Sequence, residues 1–142
     1  MSDEYPHTRA PRGQPSLAHA IAEGQPLRGG IHFFHLDAHW GEDLSLAEEI
    51  DLIFSSGTDA IVMIDDFQVP DDPSYSYDNC GAGKLLSEEY IDGLKSHHQL
   101  ACFYPADHSL RETGARRGSV VLTRSNRFAY IAQLKSLRQI EK

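Results

Sequence analysis

A chain of 142 residues has room for one domain and one core, which excludes a two-domain enzyme or a complete TIM barrel. Its 13 Lys and Arg against 21 Asp and Glu give a net charge of −8. That is the wrong sign for gripping a phosphate backbone or an anionic membrane, so neither nucleic acid nor membrane is expected as a partner. Two cysteines, Cys80 and Cys102, cannot build a disulfide scaffold and lack C-x-x-C spacing for zinc. With no apolar run near ~18 residues and no basic-then-apolar start, free thiols in the cytoplasm are expected.

Residues 1–30 are punctuated by proline and glycine, among them Pro6, Pro11, Pro15, Pro26, Gly29 and Gly30. They read as a flexible segment in which only Ser16–Glu23 could form a helical turn or two. Residues 31–142 read as the folded α/β domain. Ile31–Leu36 is rich in β-formers and bounded by Gly-Gly and Asp37, which predicts a strand. Ser45–Phe54 has a 3.6-residue period that puts Leu46, Ala47, Ile50, Ile53 and Phe54 on one helix face. Ser45 and Glu48 make a capping box at its start, and Gly57 stops it.

Asp59–Ile64 is nearly all apolar, as suits a strand covered on both faces. Gln68–Gly83 reads as a loop, and Ser87–Leu94 as a helix with Leu86, Tyr90, Ile91 and Leu94 inward. Leu100–Tyr104 and Ser119–Thr123 are predicted strands joined by a polar connection. Arg127–Ile140 closes the chain as a predicted helix striped by Phe128, Ile131, Leu134 and Leu137. Strands alternating with helices imply an α/β sheet with parallel neighbours, about four strands in all. The last two strands have no helix between them and should be antiparallel to each other.

Ligands of open α/β sheets bind beyond the carboxyl ends of the strands. Asp37 ends the first strand, and Asp65 and Asp66 end the second. If these strands are neighbours, three carboxylates meet at one rim and repel unless a cation neutralises them. Oxygen donors of this kind select Mg²⁺, Mn²⁺ or Ca²⁺. The plainer alternative has Asp37 capping a helix and Asp66 starting a turn. His39, two residues past Asp37, is a natural proton acceptor, although a lone His beside Trp40 more often serves packing or a structural hydrogen bond. His32 and His35 point to opposite faces of a strand, and His97 and His98 sit at a helix end, so the remaining histidines make no expected metal set. Gly81–Lys84 resembles a phosphate loop, but Asp78 and Leu85 stand where Gly and Ser or Thr are needed.

Leu36-Asp37-Ala38-His39-Trp40-Gly41-Glu42-Asp43, Ile64-Asp65-Asp66-Phe67 and Thr113-Gly114-Ala115-Arg116-Arg117-Gly118 form a series. With its spacing it resembles the C-terminal half of class I S-adenosylmethionine-dependent methyltransferases, over residues 31–124. The acidic clusters are similar to those of metal-dependent sugar O-methyltransferases. There, an Asp after the fourth strand and an Asp-Asp pair after the fifth hold a divalent metal. The resemblance implies a partial Rossmann-like sheet, S-adenosylmethionine as the family's cofactor, and Mg²⁺ or Mn²⁺ on Asp37, Asp65 and Asp66. It implies a small-molecule hydroxyl acceptor, with His39 at the catalytic acid–base position where the sugar enzymes carry Asp. Residues 1–30 contain no strand–Gly-x-Gly–helix unit for the cofactor. The expected protein is therefore a truncated or split methyltransferase, inactive alone and completed by another chain. The rival expectation is a non-catalytic module that forms a homo-oligomer through its exposed first strand. A metallohydrolase is a third reading, because Asp37-Ala38-His39 resembles part of the arginase-like signature, but Gly41 replaces the Asp that this signature needs.

Overall fold

The structure is a computed structural model and describes residues 30–37, 46–79 and 85–141. Strand β1 (His32–Leu36) and strand β2 (Ala60–Asp65) are joined through helix α1 (Leu46–Ser55) and run parallel, with Phe33 level with Ile61 and Leu36 level with Ile64. Helix α2 (Glu88–His98) leads into β3 (Leu100–Pro105). The next strand, β4 (Ser119–Arg124), inserts between β2 and β3 and is antiparallel to both. A short helix α3 (Phe128–Ala132) precedes β5 (Leu137–Arg138), which pairs antiparallel with β3. Among the described residues the fold is thus α/β, a five-stranded mixed sheet of order β1-β2-β4-β3-β5 with three helices. The parallel first pair and the antiparallel β3–β4 pair agree with the sequence expectation.

Strand alternation sorts the core into two faces. Phe34, Val62, Ile64 and Leu122 pack against Leu46, Ile50, Ile53 and Phe54 of α1 and Ile91 of α2. Ile61, Phe103 and Val121 turn the other way and meet Ile131 of α3. The apolar run of β2 is therefore covered on both sides, as predicted. The second face is the thinner one. Phe33 shares a register level with Ile61, yet it is 60% exposed, because among the described residues this face is covered by the short helix α3 and Leu137 alone.

The closing helix predicted over Arg127–Ile140 is corrected. A 3₁₀ turn at Ser125–Arg127 leads into α3, and the chain then leaves the helix for β5. Tertiary contacts override the weak period. The Arg138 guanidinium donates two hydrogen bonds of 2.7 Å to the Asp71 carboxylate and one of 3.0 Å to the Pro105 carbonyl, and Leu137 packs on the second-face core. Helix α2 runs four residues beyond Leu94. It closes at Gln99, whose N–H donates to the Lys95 carbonyl and whose left-handed backbone (φ 55°) turns the chain out of the helix.

The long loop after β2 is ordered where described. Buried Asp72 accepts hydrogen bonds from the Ser109 backbone and hydroxyl, both 2.8 Å, which pins the loop to the connection after β3. Tyr75 is buried beside it and donates to the Asp107 carbonyl or the Glu112 carboxylate. No helix among the described residues is long and apolar enough to cross a membrane. The expectations for residues 1–29, for His39 and Trp40, for the cap at Ser45 and for Gly81–Lys84 lie outside the described residues.

Candidate functional site

The carboxyl ends of β1 and β2 lie side by side because the two strands run in the same direction. Leu36 is level with Ile64, so the next residues in step are Asp37 and Asp65. Asp37 is exposed and Asp65 is half-buried. Asp66 then takes a left-handed backbone (φ 57°), a conformation that short polar side chains tolerate, and turns the chain off the sheet. The sequence expectation placed Asp37, Asp65 and Asp66 at these strand ends, and the register puts Asp37 and Asp65 in step.

Two of them have side-chain partners. Asp65 Oδ2 is 2.6 Å from Nε2 of His35 on the neighbouring strand. Asp66 pairs with the Arg117 Nε–H, and the same guanidinium donates through Nη2 to Asp78 at 2.6 Å. Hydrogen bonding to Asp66 raises the Arg117 pKa further, so this cation is permanent. Arg117 reaches the rim because its strand-like backbone is bridged to Ser76: Ser76 N–H donates to the Arg116 carbonyl and Gly118 N–H to the Ser76 carbonyl, both 2.8 Å. Gly118 is required at that approach, since a Cβ there would collide with the Phe67 carbonyl oxygen.

Sequence reasoning missed His35 and Arg117 as partners of the acidic rim. Arg117 stood in a motif already singled out, but its contact spans 51 residues and nothing local signals it.

Beside this rim, the segment before α2 is stitched to the loop after β2. Gln68 N–H donates to the Leu86 carbonyl at 2.8 Å and Leu86 N–H to the Asp78 carbonyl at 3.2 Å. A recess of about 370 Å³ opens there, lined by Leu85, Ser87, Glu89 and Tyr90. Its polar groups are a hydroxyl, a phenol and a carboxylate.

Among the described residues, the group of His, Cys, Asp or Glu side chains whose ligand atoms all lie within 4.8 Å of one another is elsewhere, at Asp51, His97 and His98. His97 and His98, which the sequence reading left without a metal set, lie beside Asp51 here. The partner that completes the set, Asp51, lies on a different helix.

No protein-family model, curated protein or solved structure matches this chain. The functional reading therefore rests on the residues and their geometry.

Proposed function

We propose that this chain is the acceptor- and metal-binding part of an O-methyltransferase-like protein of the class I S-adenosylmethionine-dependent kind. The observation that carries the reading is the level pairing of β1 and β2, with Asp37 following one strand and Asp65–Asp66 ending the other. Partial Rossmann-like architecture is part of the same proposal, supported by the parallel first pair and the antiparallel last pair.

Three carboxylates are hard oxygen donors, and their chemistry fits Mg²⁺ or Mn²⁺. Asp65 and Asp66 already hold His35 and Arg117, so an ion would exchange with these side chains rather than fill a bare cluster. When bound, such an ion supplies Lewis acidity that lowers the pKa of an acceptor hydroxyl. His39 is the proposed proton acceptor. The recess at Ser87 and Tyr90 is the proposed seat of a small-molecule hydroxyl acceptor. No residue of this chain is assigned to S-adenosylmethionine, and a complementing chain or further segment would supply that site. The protein alone is expected to be inactive.

A second reading is favoured by one observation. Among the described residues β1 is an edge of the sheet, and its Phe33 is largely exposed. An edge strand with apolar side chains invites pairing with another chain, so a non-catalytic, self-associating module is the alternative.

Thermal unfolding with and without Mg²⁺ or Mn²⁺ tests the first reading. Wild type should melt higher with the ion, and Asp65→Asn should lose most of that gain. Equal melting temperatures in wild type reject the metal role of the rim. Calorimetry with S-adenosylmethionine should show weak or no binding to the chain alone, and low-micromolar affinity would mean that a cofactor site lies within these 142 residues.

A further inference from the structure

We propose a transition-metal site at the junction of α1 and α2, formed by Asp51, His97 and His98 and distinct from the acidic rim. His98 Nε2 and Asp51 Oδ1 are 2.7 Å apart, and one ligand atom from each of the three residues lies within 4.8 Å of the others. The three are not equal in role. His98 has a side chain only 6% exposed, and its ring rests 5.9 Å from that of Phe54, so packing sets its direction. His97 is exposed and stands edge-on to it, with centroids 4.6 Å apart at 79°. Asp51 is 53% exposed and can turn. One fixed imidazole flanked by two adjustable groups is an arrangement that can close on an ion.

Two imidazole nitrogens and one carboxylate oxygen form a borderline donor set. It suits Zn²⁺ and its transition-metal neighbours, not Mg²⁺, which keeps oxygen ligands and water. Tetrahedral Zn²⁺ with bonds of ~2.0–2.1 Å holds its ligand atoms about 3.3 Å apart. The Asp51–His98 pair must then open by about 0.6 Å, and the widest separation must close by at most about 1.5 Å, within the reach of two exposed side chains. Three protein ligands leave a fourth position for water.

The surroundings favour a cation. His97 and His98 end an 11-residue helix, where unsatisfied carbonyls carry partial negative charge. Two basic groups near it in the chain or the core are engaged elsewhere. Lys95 donates to Glu88 at 3.2 Å, and Arg124 donates to the Phe54 carbonyl while lying over the Phe54 ring. An ion here would clip α1 to α2 across 47 residues of chain.

The test uses the full chain with Zn²⁺ as the probe and Mg²⁺ as the control. Wild type should bind one Zn²⁺ and melt at a higher temperature, and an excess of Mg²⁺ should not displace that Zn²⁺. His97→Ala removes an exposed ligand without opening the core, so its metal-free melting temperature should match wild type while Zn²⁺ affinity falls at least tenfold. Asp65→Asn, in the acidic rim, should keep the full Zn²⁺ response, which separates this site from the methyltransferase reading. Co²⁺ in wild type should give the visible absorption of a tetrahedral site, and His97→Ala should lose it. A wild type with no Zn²⁺-dependent rise, a His97→Ala protein with undiminished affinity, or a response lost in Asp65→Asn overturns the proposal.

Discussion

Replacing Arg117 by Met separates two explanations of the acidic rim. The guanidinium joins Asp66, whose side chain is 15% exposed, and Asp78, and is itself 44% exposed. Ion pairs this open to water contribute ~0.2–1 kcal/mol each. Two of them on one planar group, with Met retaining most of the volume, give an expected loss of about 1–1.5 kcal/mol. For a domain of this size that lowers the melting temperature by about 3–6 °C. The variant also removes the cation that competes for Asp66. If the rim takes Mg²⁺, Arg117→Met should therefore bind it more tightly than wild type does. At a hundredfold excess over the dissociation constant the ion contributes ~2.7 kcal/mol, enough to more than restore the loss. Circular dichroism melts of both proteins, with and without millimolar Mg²⁺, read both effects. An Arg117→Met protein that melts with wild type shows that the bridge carries no stability. One whose melting temperature ignores Mg²⁺ refutes the metal reading, leaving Arg117 as the rim's own counter-ion.

Gly118→Ala should cost about 1–3 kcal/mol, because its Cβ meets the Phe67 carbonyl in a packed loop; unchanged stability in a urea titration would mean that the loop yields freely. Acid should destabilise the protein as pH falls below about 4. Arg127 beside Asp59, Arg138 beside Asp71 and the Ser109 N–H on Asp72 hold these carboxyls below their usual range, so the unfolded chain takes up protons first. Their contribution is complete above the ordinary carboxylate pKa of ~3.9 and drains as pH falls through the folded values. A melting temperature flat from pH 7 to pH 3 contradicts this. At the alkaline end, burial and Glu112 push Tyr75 up to about 12, and burial raises Tyr104 as well. An absorbance titration of the folded protein should leave these two of the six tyrosines un-ionised at pH 11, and ionisation of all six near pH 10 counts against the packing described. Finally, sedimentation at tens of micromolar should show self-association that Phe33→Lys abolishes. A monomeric wild type removes the reading of β1 as a docking edge.

Much of the sheet was legible because each strand is a short apolar run between turn formers. Ala60–Asp65 and Ser119–Arg124 fall within one residue of their expected bounds at either end. Helix α1 was legible for a similar reason: Leu46, Ile50, Ile53 and Phe54 repeat at the helical period and are all buried. The end of the chain was not legible. Leu134 and Leu137 continue the period of Phe128 and Ile131, but Arg138 is drawn to Asp71, a residue 67 positions away, and this contact outweighs the stripe. The site divides in the same way. Carboxylates at strand ends can be read from sequence once parallel pairing is inferred. Their partners His35 and Arg117, and the meeting of Asp51 with His98, depend on register and helix packing that no local pattern encodes.

The position of β4 constrains the order in which this protein can be made. The strand at the centre of the sheet, Ser119–Arg124, is the fourth of the five strands among the described residues. Until it exists, β1 and β2 form one small sheet and β3 stands apart, each with an edge meant for β4. Pairings such as Ile61 with Thr123 span some 60 residues and must wait for nearly the whole chain, which makes assembly slow. During synthesis the apolar edges of β2 and β3 are bare, and a chain cut before Ser119 would keep them so. Such fragments are expected to associate with one another rather than fold, because an unpaired apolar strand accepts any neighbour that offers its backbone.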